Sequence, residues 1–188
     1  MSYYLGIDQS LTSTGLAVLP SDGDRPVYLT AIATGKLRGA TRLASIRDEL
    51  EFVFFKYESL ICAALEGYSF ESVNRSFDLG ELGGVIRLFL YDKHIPFVVV
   101  PPTSLKKFVT GNGSADKKKI HDFVLSKWHQ DIEEEEDDQC DAYGLAQVAR
   151  AYPEKKTTNR AELEVLLSLD PKPVSPVMQS KGRTKVSL

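Results

Sequence analysis

The chain has 188 residues, of which 43% are hydrophobic and 26% charged, and its net charge at pH 7 is -3. This length allows one full hydrophobic core and leaves little room for a second large domain, and the net charge excludes a uniformly basic nucleic-acid binder. The charge is uneven, however, because residues 153–188 carry seven basic and four acidic side chains and the remainder of the chain is acidic.

Hydrophobic periodicity predicts alternating strands and helices. In chain order, the predicted strands cover residues 3–7, 15–19, 27–33, 60–65 and 97–100. The predicted helices cover residues 42–57, 76–91, 116–128 and 138–152. Short turns join the first three strands as hairpins, and helices separate the later ones. This order indicates an α/β fold with a five-stranded mixed sheet flanked by helices.

Residues 1–152 are predicted to form the globular domain, because Pro153 ends the last long helix. Residues 153–188 are predicted to form a basic C-terminal tail that includes a short helix at 161–169. Cys62 and Cys140 do not form a C-x-x-C pair, so neither a disulfide framework nor a structural zinc site is indicated. With no signal peptide or apolar run of membrane-spanning length, we expect a cytoplasmic protein with no membrane partner.

Two carboxylates follow apolar strands. Asp8 ends the first predicted strand and Glu66 ends the fourth. If these strands are neighbours, both side chains point into one crevice, where like charges are costly unless a cation neutralises them. Mg²⁺ suits such a site because it prefers carboxylate oxygens and keeps waters for chemistry. The alternatives are an Asp that caps a turn and a solvated Glu at a strand end.

Further carboxylates open the last long helix. Asp138 and Asp141 are three residues apart and share a helix face, and so do Asp137 and Asp141, which are four apart, so the spacing does not choose between Asp137 and Asp138. The acidic run at 133–138 also suits a solvated loop near the positive end of a helix. That explanation accounts poorly for Asp141, which lies among apolar residues, where a buried acid needs a partner or a metal.

A glycine-bearing loop with basic ends is a candidate nucleic-acid surface. Its candidate DNA-binding residues are Lys106, Lys107, Gly111, Asn112, Gly113, Lys118 and Lys119, and Lys117 lies in the same segment. Tyr68 and Phe70 stand in a polar stretch just after Glu66 and could stack on or wedge between bases. The alternatives are a solvated surface loop and aromatic side chains that pack in the core.

Taken together and in this order, several short stretches resemble the RuvC-type Holliday junction resolvases, which are nucleases of the ribonuclease H-like superfold. The stretches are Gly6 to Gly15, Leu65-Glu66, Leu79-Gly80 with Gly84, Pro101 to Lys106, Val109 to Gly113 with Ala115 and Lys117, and Asp138 to Ala142. They cover about residues 3 to 152. Such a resemblance suits a bacterial protein or one encoded by a phage.

The resemblance implies a homodimer that makes paired symmetric nicks in a four-way DNA junction, and other branched DNA is a further substrate to consider. It assigns Asp8, Glu66, Asp138 and Asp141 as ligands of two Mg²⁺ ions, which Mn²⁺ can replace, and these residues with Lys117 as the catalytic set. It also places dimerisation at the predicted helix 76–91. The family's aromatic residue three positions after the strand-end Glu is Ser69 here, so Phe70 takes that role through a shift of one residue.

Two other functions are compatible with parts of the sequence. Gly6-Ile7-Asp8, followed by hydroxyl residues and Gly15, also resembles the phosphate loop of actin-like and sugar-kinase ATPases. Those proteins need two lobes and a second nucleotide loop, and a chain of 188 residues without an internal repeat argues against this function. The other alternative is a junction-binding module that has lost cleavage, which the presence of all four carboxylates argues against.

Overall fold

The computed structural model describes residues 1–68, 76–130, 132–133 and 136–169. Five strands form one sheet in the order β3-β2-β1-β4-β5. They are β1 (Tyr3–Asp8), β2 (Ser13–Pro20), β3 (Tyr28–Ala33), β4 (Leu60–Glu66) and β5 (Phe97–Val100). The hairpin pairs β1–β2 and β2–β3 are antiparallel, whereas β1–β4 and β4–β5 are parallel. The predicted α/β class and mixed five-stranded sheet are therefore confirmed.

Helices cover both faces of this sheet. They are α1 (Gly39–Lys56), α2 (Ser76–Asp92), α3 (Pro102–Thr110), α4 (Lys117–Trp128), α5 (Asp137–Ala151) and α6 (Arg160–Ser168). The four long predicted helices correspond to α1, α2, α4 and α5, and α1 begins three residues before its predicted start. The short helix expected at 161–169 corresponds to α6.

Helix α3 did not emerge from the sequence pattern, although its signals are present. Pro102 occupies its first turn, where the missing N–H costs nothing, and Gly111 ends it in the left-handed conformation with φ 79°. Leu105, Phe108 and Val109 are buried on one side of the helix. The helix has only nine residues, and because Lys106 and Lys107 are adjacent, the sequence pattern of this segment predicts a basic surface and not a helix.

Strand side chains alternate between two hydrophobic cores. On one face, Ala63 and Leu65 of β4 pack with α1 and α2. On the other face, Cys62 and Ala64 pack with α3, α4 and α5, and α6 adds Val165 and Leu166 to this second core. The sheet is thus the middle layer of three, and α6 belongs to one of the outer layers.

Parallel pairing places the ends of β1, β4 and β5 at one edge of the sheet. Ile7 pairs with Leu65, and Glu66 pairs with Val100, so Asp8 and Glu66 occupy neighbouring strand ends. We call this the acidic edge of the sheet. No helix in the described part of the chain is both long and apolar enough to cross a membrane.

Candidate active site

Four carboxylates meet at the acidic edge. Asp8 is 5% exposed at the end of β1, Glu66 is half-buried at the end of β4, and α5 brings Asp138 and Asp141 from the adjoining layer. Electrostatic interactions connect each of the four carboxylates with at least two of the others. We refer to Asp8, Glu66, Asp138 and Asp141 as the acidic cluster.

Two glycines let α5 approach the sheet closely enough to join this cluster. A Cβ atom on Gly6 would collide with the backbone carbonyl of Ala142, and one on Gly15 would collide with that of Asp138. Because both positions lack a side chain, the first turns of α5 lie directly on β1 and β2. The strand-end acid and the helix acids are therefore brought together by backbone contact.

Asp8 and Glu66 influence each other's ionisation. Burial, followed by the neighbouring charge of Glu66, raises the pKa of Asp8 well above its usual value. Burial also raises the pKa of Glu66, although the hydrogen bond from Asp8 and the charge of Lys106 oppose this shift. Burial and the neighbouring like charge thus favour a protonated Asp8 that donates a hydrogen bond to Glu66.

The structure distinguishes the two neighbouring aspartates that the spacing could not separate. The charge of Asp138 raises the pKa of both Asp8 and Glu66. The Asp137 carboxylate instead pairs with the Lys117 ammonium at 2.7 Å. Burial, and then repulsion from Glu66, raise the pKa of Asp141 to about 7. Asp138 and Asp141 therefore face the strand-end acids, and Asp137 faces the basic segment.

Two lysines lie beside the acidic cluster. Lys117 begins α4, and its ion pair with Asp137 raises the pKa of its ammonium group. Lys117 also lowers the pKa of Asp141, and Lys106 of α3 lowers that of Glu66. Both cations are thus close enough to offset negative charge at the acidic edge.

The glycine-bearing loop joins α3 to α4 next to these lysines. Gly111 adopts its left-handed conformation there, and the Asn112 side chain accepts a hydrogen bond from the Ser114 N–H at 3.0 Å. A Cβ atom on Gly113 would lie 3.0 Å from the carbonyl oxygen of Thr103. The loop is therefore folded against the start of α3 and held by its own side chains.

The other lysines predicted to contact DNA are Lys107, Lys118 and Lys119. The Lys107 ammonium pairs with Glu164 of α6 at 2.8 Å, and that of Lys118 lies 3.5 Å from Asp122. Lys119 is exposed in the first turn of α4, where its N–H is capped by Asp116. The structure thus brings Lys106 and Lys117 to the acidic cluster and turns Lys107 toward α6.

Tyr68 lies just beyond Glu66 and is 38% exposed. The Arg87 guanidinium stacks over its ring at 5.1 Å, and its hydroxyl reaches the space left open by Gly83 of α2. Tyr68 is therefore partly packed and partly available at the surface. Phe70, the second predicted aromatic contact, lies outside the described residues.

The chemistry of the acidic cluster fits a hard divalent cation, because all four side chains offer carboxylate oxygens. Within the described ranges, no three Asp, Glu, His or Cys side chains are already arranged to hold a metal ion. Burial and like charge raise the pKa of Asp8 and of Asp141, which favours their protonated forms when no cation is present. A bound cation would instead favour the ionised forms.

Sequence reasoning assigned no role to Gln9, which follows Asp8 and is 6% exposed. Its side-chain amide donates to the backbone carbonyl of Glu66. A buried amide directly after a strand-end acid is a signal that could have drawn attention to it, but its partner is 57 residues away in the chain.

The family model and the curated relatives that match this chain carry the same description. A family model described as crossover junction endodeoxyribonuclease RuvC matches residues 4–148. The relative of that name from Hydrogenovibrio crunogenus is 28% identical over 140 residues, which cover 73% of this chain and 81% of the relative. The one from Thermosipho melanesiensis is 29% identical over 145 residues, covering 76% and 92%.

Solved structures are similar in fold. Thermus thermophilus RuvC in complex with a Holliday junction substrate superposes with a TM-score of 0.66 at 19% identity, over 78% of this chain and 91% of that one. A second Thermus thermophilus RuvC structure gives the same TM-score at 20% identity, over 77% and 90% of the two chains.

Proposed function

The chain belongs to the RuvC family of crossover junction endodeoxyribonucleases, and from this premise we propose that its acidic cluster hydrolyses phosphodiester bonds in four-way DNA junctions. Family membership confirms the resemblance seen in the sequence, and the structural similarity confirms the ribonuclease H-like fold. The ATPase and the non-catalytic module are not favoured. One observation carries the proposal, namely that four carboxylates from three elements lie within electrostatic range of one another at a single sheet edge.

Asp8, Glu66, Asp138 and Asp141 would hold two Mg²⁺ ions, which Mn²⁺ could replace. When bound, such ions lower the pKa of an attacking water and stabilise the leaving oxygen. The chain's own part is to gather the carboxylates at one sheet edge, and Lys106 and Lys117 partly offset the burial that favours their protonated forms. Asp138 is assigned to the set in preference to Asp137, because Asp137 is held by Lys117.

Lys117 and Lys106 supply positive charge beside the acidic cluster. Lys106 favours the ionised form of Glu66, and Lys117 favours that of Asp141. When a phosphodiester enters, both ammonium groups are placed to offset its charge near the scissile bond. Lys117 must then exchange its contact with Asp137 for one with DNA, which its 71% exposed side chain permits.

The DNA surface extends from the acidic edge along the loop between α3 and α4. Gly111, Asn112 and Gly113 bring backbone groups close to a sugar-phosphate chain, and Lys118 and Lys119 follow at the start of α4. Lys107 would join the surface only after leaving Glu164. Tyr68, with Phe70 beyond it, would meet the bases of the opened junction.

The exposed face of α2 supports a homodimer. Phe77 is 89% exposed, Leu88 60% and Tyr91 38%. Gly80 and Gly84 lie exposed on the same face, with no atom near the position of a Cβ. A helix face that combines large apolar residues with glycines allows close approach of a second copy, and burying it would remove apolar surface from water.

We assign residues 1–152 to the nuclease domain and residues 153–188 to a C-terminal extension. Helix α6 of this extension packs on α3 and shares its core, so the extension is anchored to the domain at least as far as Leu169. Residues 170–188 lie outside the described residues. The similar relatives are bacterial proteins, which supports a bacterial setting for this activity.

A cleavage assay tests the proposal. Purified protein is incubated in Mg²⁺ or Mn²⁺ with a synthetic four-way junction and, separately, with linear duplexes of the same arm sequences. We expect cleavage of the junction alone. Asp8→Asn and Asp141→Asn should slow it by about 10³-fold or more, because each removes a charged oxygen donor while keeping the side-chain shape.

The control is Asp48→Asn, which alters an exposed carboxylate on α1 that pairs with Arg47. It should cut at the wild-type rate. Junction binding, measured in EDTA, should persist in all three variants. Equal cutting of linear duplex, or undiminished cutting by Asp8→Asn, would contradict the proposed function.

A further inference from the structure

Gln9 stands between the two strand-end acids. It follows Asp8 directly, it is 6% exposed, and its Nε2 donates to the backbone carbonyl oxygen of Glu66 at 2.5 Å. A carbonyl oxygen only accepts hydrogen bonds, so this contact fixes which end of the amide faces Glu66. The side chain therefore links the residue after β1 to the last residue of β4.

The opposite end of the Gln9 amide, its Oε1 atom, is buried without a hydrogen-bond partner among the described residues. With Nε2 on Glu66, the Oε1 atom points toward α2, where a Cβ on Gly83 would lie 2.8 Å from it. A buried acceptor without a partner destabilises the folded state, so an apolar residue at this position would favour folding more.

The Gln9 hydrogen bond lies just beyond the last backbone pair between β1 and β4. Backbone pairing between β1 and β4 ends at Ile7 and Leu65, one residue before the acids. On its other side, Gly67 donates its N–H to the carbonyl of Val100 at 2.8 Å and ties β4 to β5. Gln9 thus adds a link between β1 and β4 beyond their last backbone pair, at the point where Asp8 and Glu66 would repel each other once both are ionised.

We propose that Gln9 is a positioning residue that holds the ends of β1 and β4 together, so that Asp8 and Glu66 stay at the separation needed to share a divalent cation. The inference rests on the proposed function, because it assumes that the acidic cluster binds such an ion. Groups that orient metal ligands without touching the metal typically contribute about 10- to 100-fold to metal affinity.

The test measures Mn²⁺ binding to the full-length protein by calorimetry in the absence of DNA. Gln9→Met keeps the side-chain length and removes the amide, and Gln9→Asn keeps the amide but is one methylene too short to reach Glu66. Both should weaken Mn²⁺ binding by about 10-fold or more. If Gln9→Met fails to fold, as judged by circular dichroism, Gln9→Asn carries the test.

The matched control is Gln147→Met on α5. Gln147 is 4% exposed, bonds to the Tyr143 hydroxyl, and lies near Arg150, away from the acidic edge. The Gln147→Met variant loses a buried amide, as Gln9→Met does, yet its Mn²⁺ affinity should stay within about 2-fold of that of the wild type. Unchanged affinity in the folded Gln9 variants would overturn this inference alone. Absence of Mn²⁺ binding by the wild type would overturn the metal site as well.

Discussion

At the scale of single residues, the acidic cluster combines burial with like charge. Burial is the largest cause of the raised pKa of Asp8, Glu66 and Asp141, and repulsion within the cluster adds to it for Asp8 and Asp141. In the metal-free protein these carboxyls therefore hold protons at pH values where exposed carboxyls are ionised. A divalent cation would release those protons, so binding of the ion and loss of protons are linked.

This linkage predicts how stability depends on pH. The pKa of Asp141 is about 7 in the folded protein, against an ordinary value of 3.8. A raised folded-state pKa gives stability that is fully present below the ordinary value and is lost as pH rises toward 7. The metal-free protein should thus lose stability between about pH 4 and pH 7, by up to about 1.4 kcal/mol per pH unit for one proton.

Chemical denaturation in EDTA at several pH values measures this loss. Asp141→Asn should reduce the slope, because its side chain cannot titrate, and Asp48→Asn should leave it unchanged. Added Mg²⁺ should restore stability most strongly near pH 7 and above. A wild-type protein whose stability rises steadily from pH 4 to pH 7 would contradict the burial of these acids.

Residue spacing predicted part of the site. Asp8 and Glu66 could be named from sequence because each ends an apolar strand, and parallel strands share an edge. Asp137 and Asp138 could not be separated, since offsets of three and four residues both face Asp141. Only the packing of α5 on Gly15 and the position of Lys117 distinguish them. Phe70 and the roles assigned by resemblance stay predictions.

At the scale of elements, long helices and strands were predictable because their periodicity extends over many residues. Helix α3 was missed because its nine residues hold few periodic positions and two adjacent lysines. Helix α6 could be recognised as a helix, but its docking could not. It depends on Val165 and Leu166 filling a core made by α3, α4 and α5, and on the Lys107–Glu164 pair.

Docking of α6 predicts a contrast between two neighbouring leucines. Leu166 is fully buried in the core, whereas Leu167 is 66% exposed. Leu166→Ala should lower the free energy of unfolding by about 2–5 kcal/mol, because it removes buried methyl groups and leaves a cavity. Leu167→Ala should change it by less than about 0.5 kcal/mol. Equal effects in urea denaturation would show that α6 is not docked as described.

At the scale of the whole molecule, the acidic edge and the exposed face of α2 are connected through a short path. Gly83 on the inner side of α2 adjoins Tyr68 and Gln9, and Gln9 contacts Glu66. The outer side of the same helix carries Phe77 and Leu88. In a dimer formed through α2, each active site would therefore lie close to the interface, and the spacing of two cuts would follow from the spacing of two protomers.

The proposed α2 interface predicts that a charge on the exposed face of this helix prevents dimerisation. Leu88→Glu should convert the dimer to a monomer, because a carboxylate would be buried against its own symmetry mate. Leu167→Glu on α6 is the control, since Leu167 is 66% exposed and Leu88 60%. Sedimentation velocity measures the mass of each variant in solution and so distinguishes a monomer from a dimer. A dimeric Leu88→Glu protein, or a monomeric Leu167→Glu protein, would place the interface elsewhere.

Mapping the cuts on a four-way junction labelled in turn on each strand tests most directly whether the acidic cluster resolves junctions. In Mg²⁺, the wild-type protein should leave nicks at symmetry-related positions in two opposing strands. Glu66→Gln should bind the junction and leave all four strands intact. Unpaired cuts at scattered positions, or symmetric cuts that persist in Glu66→Gln, would contradict a paired nuclease centred on these carboxylates.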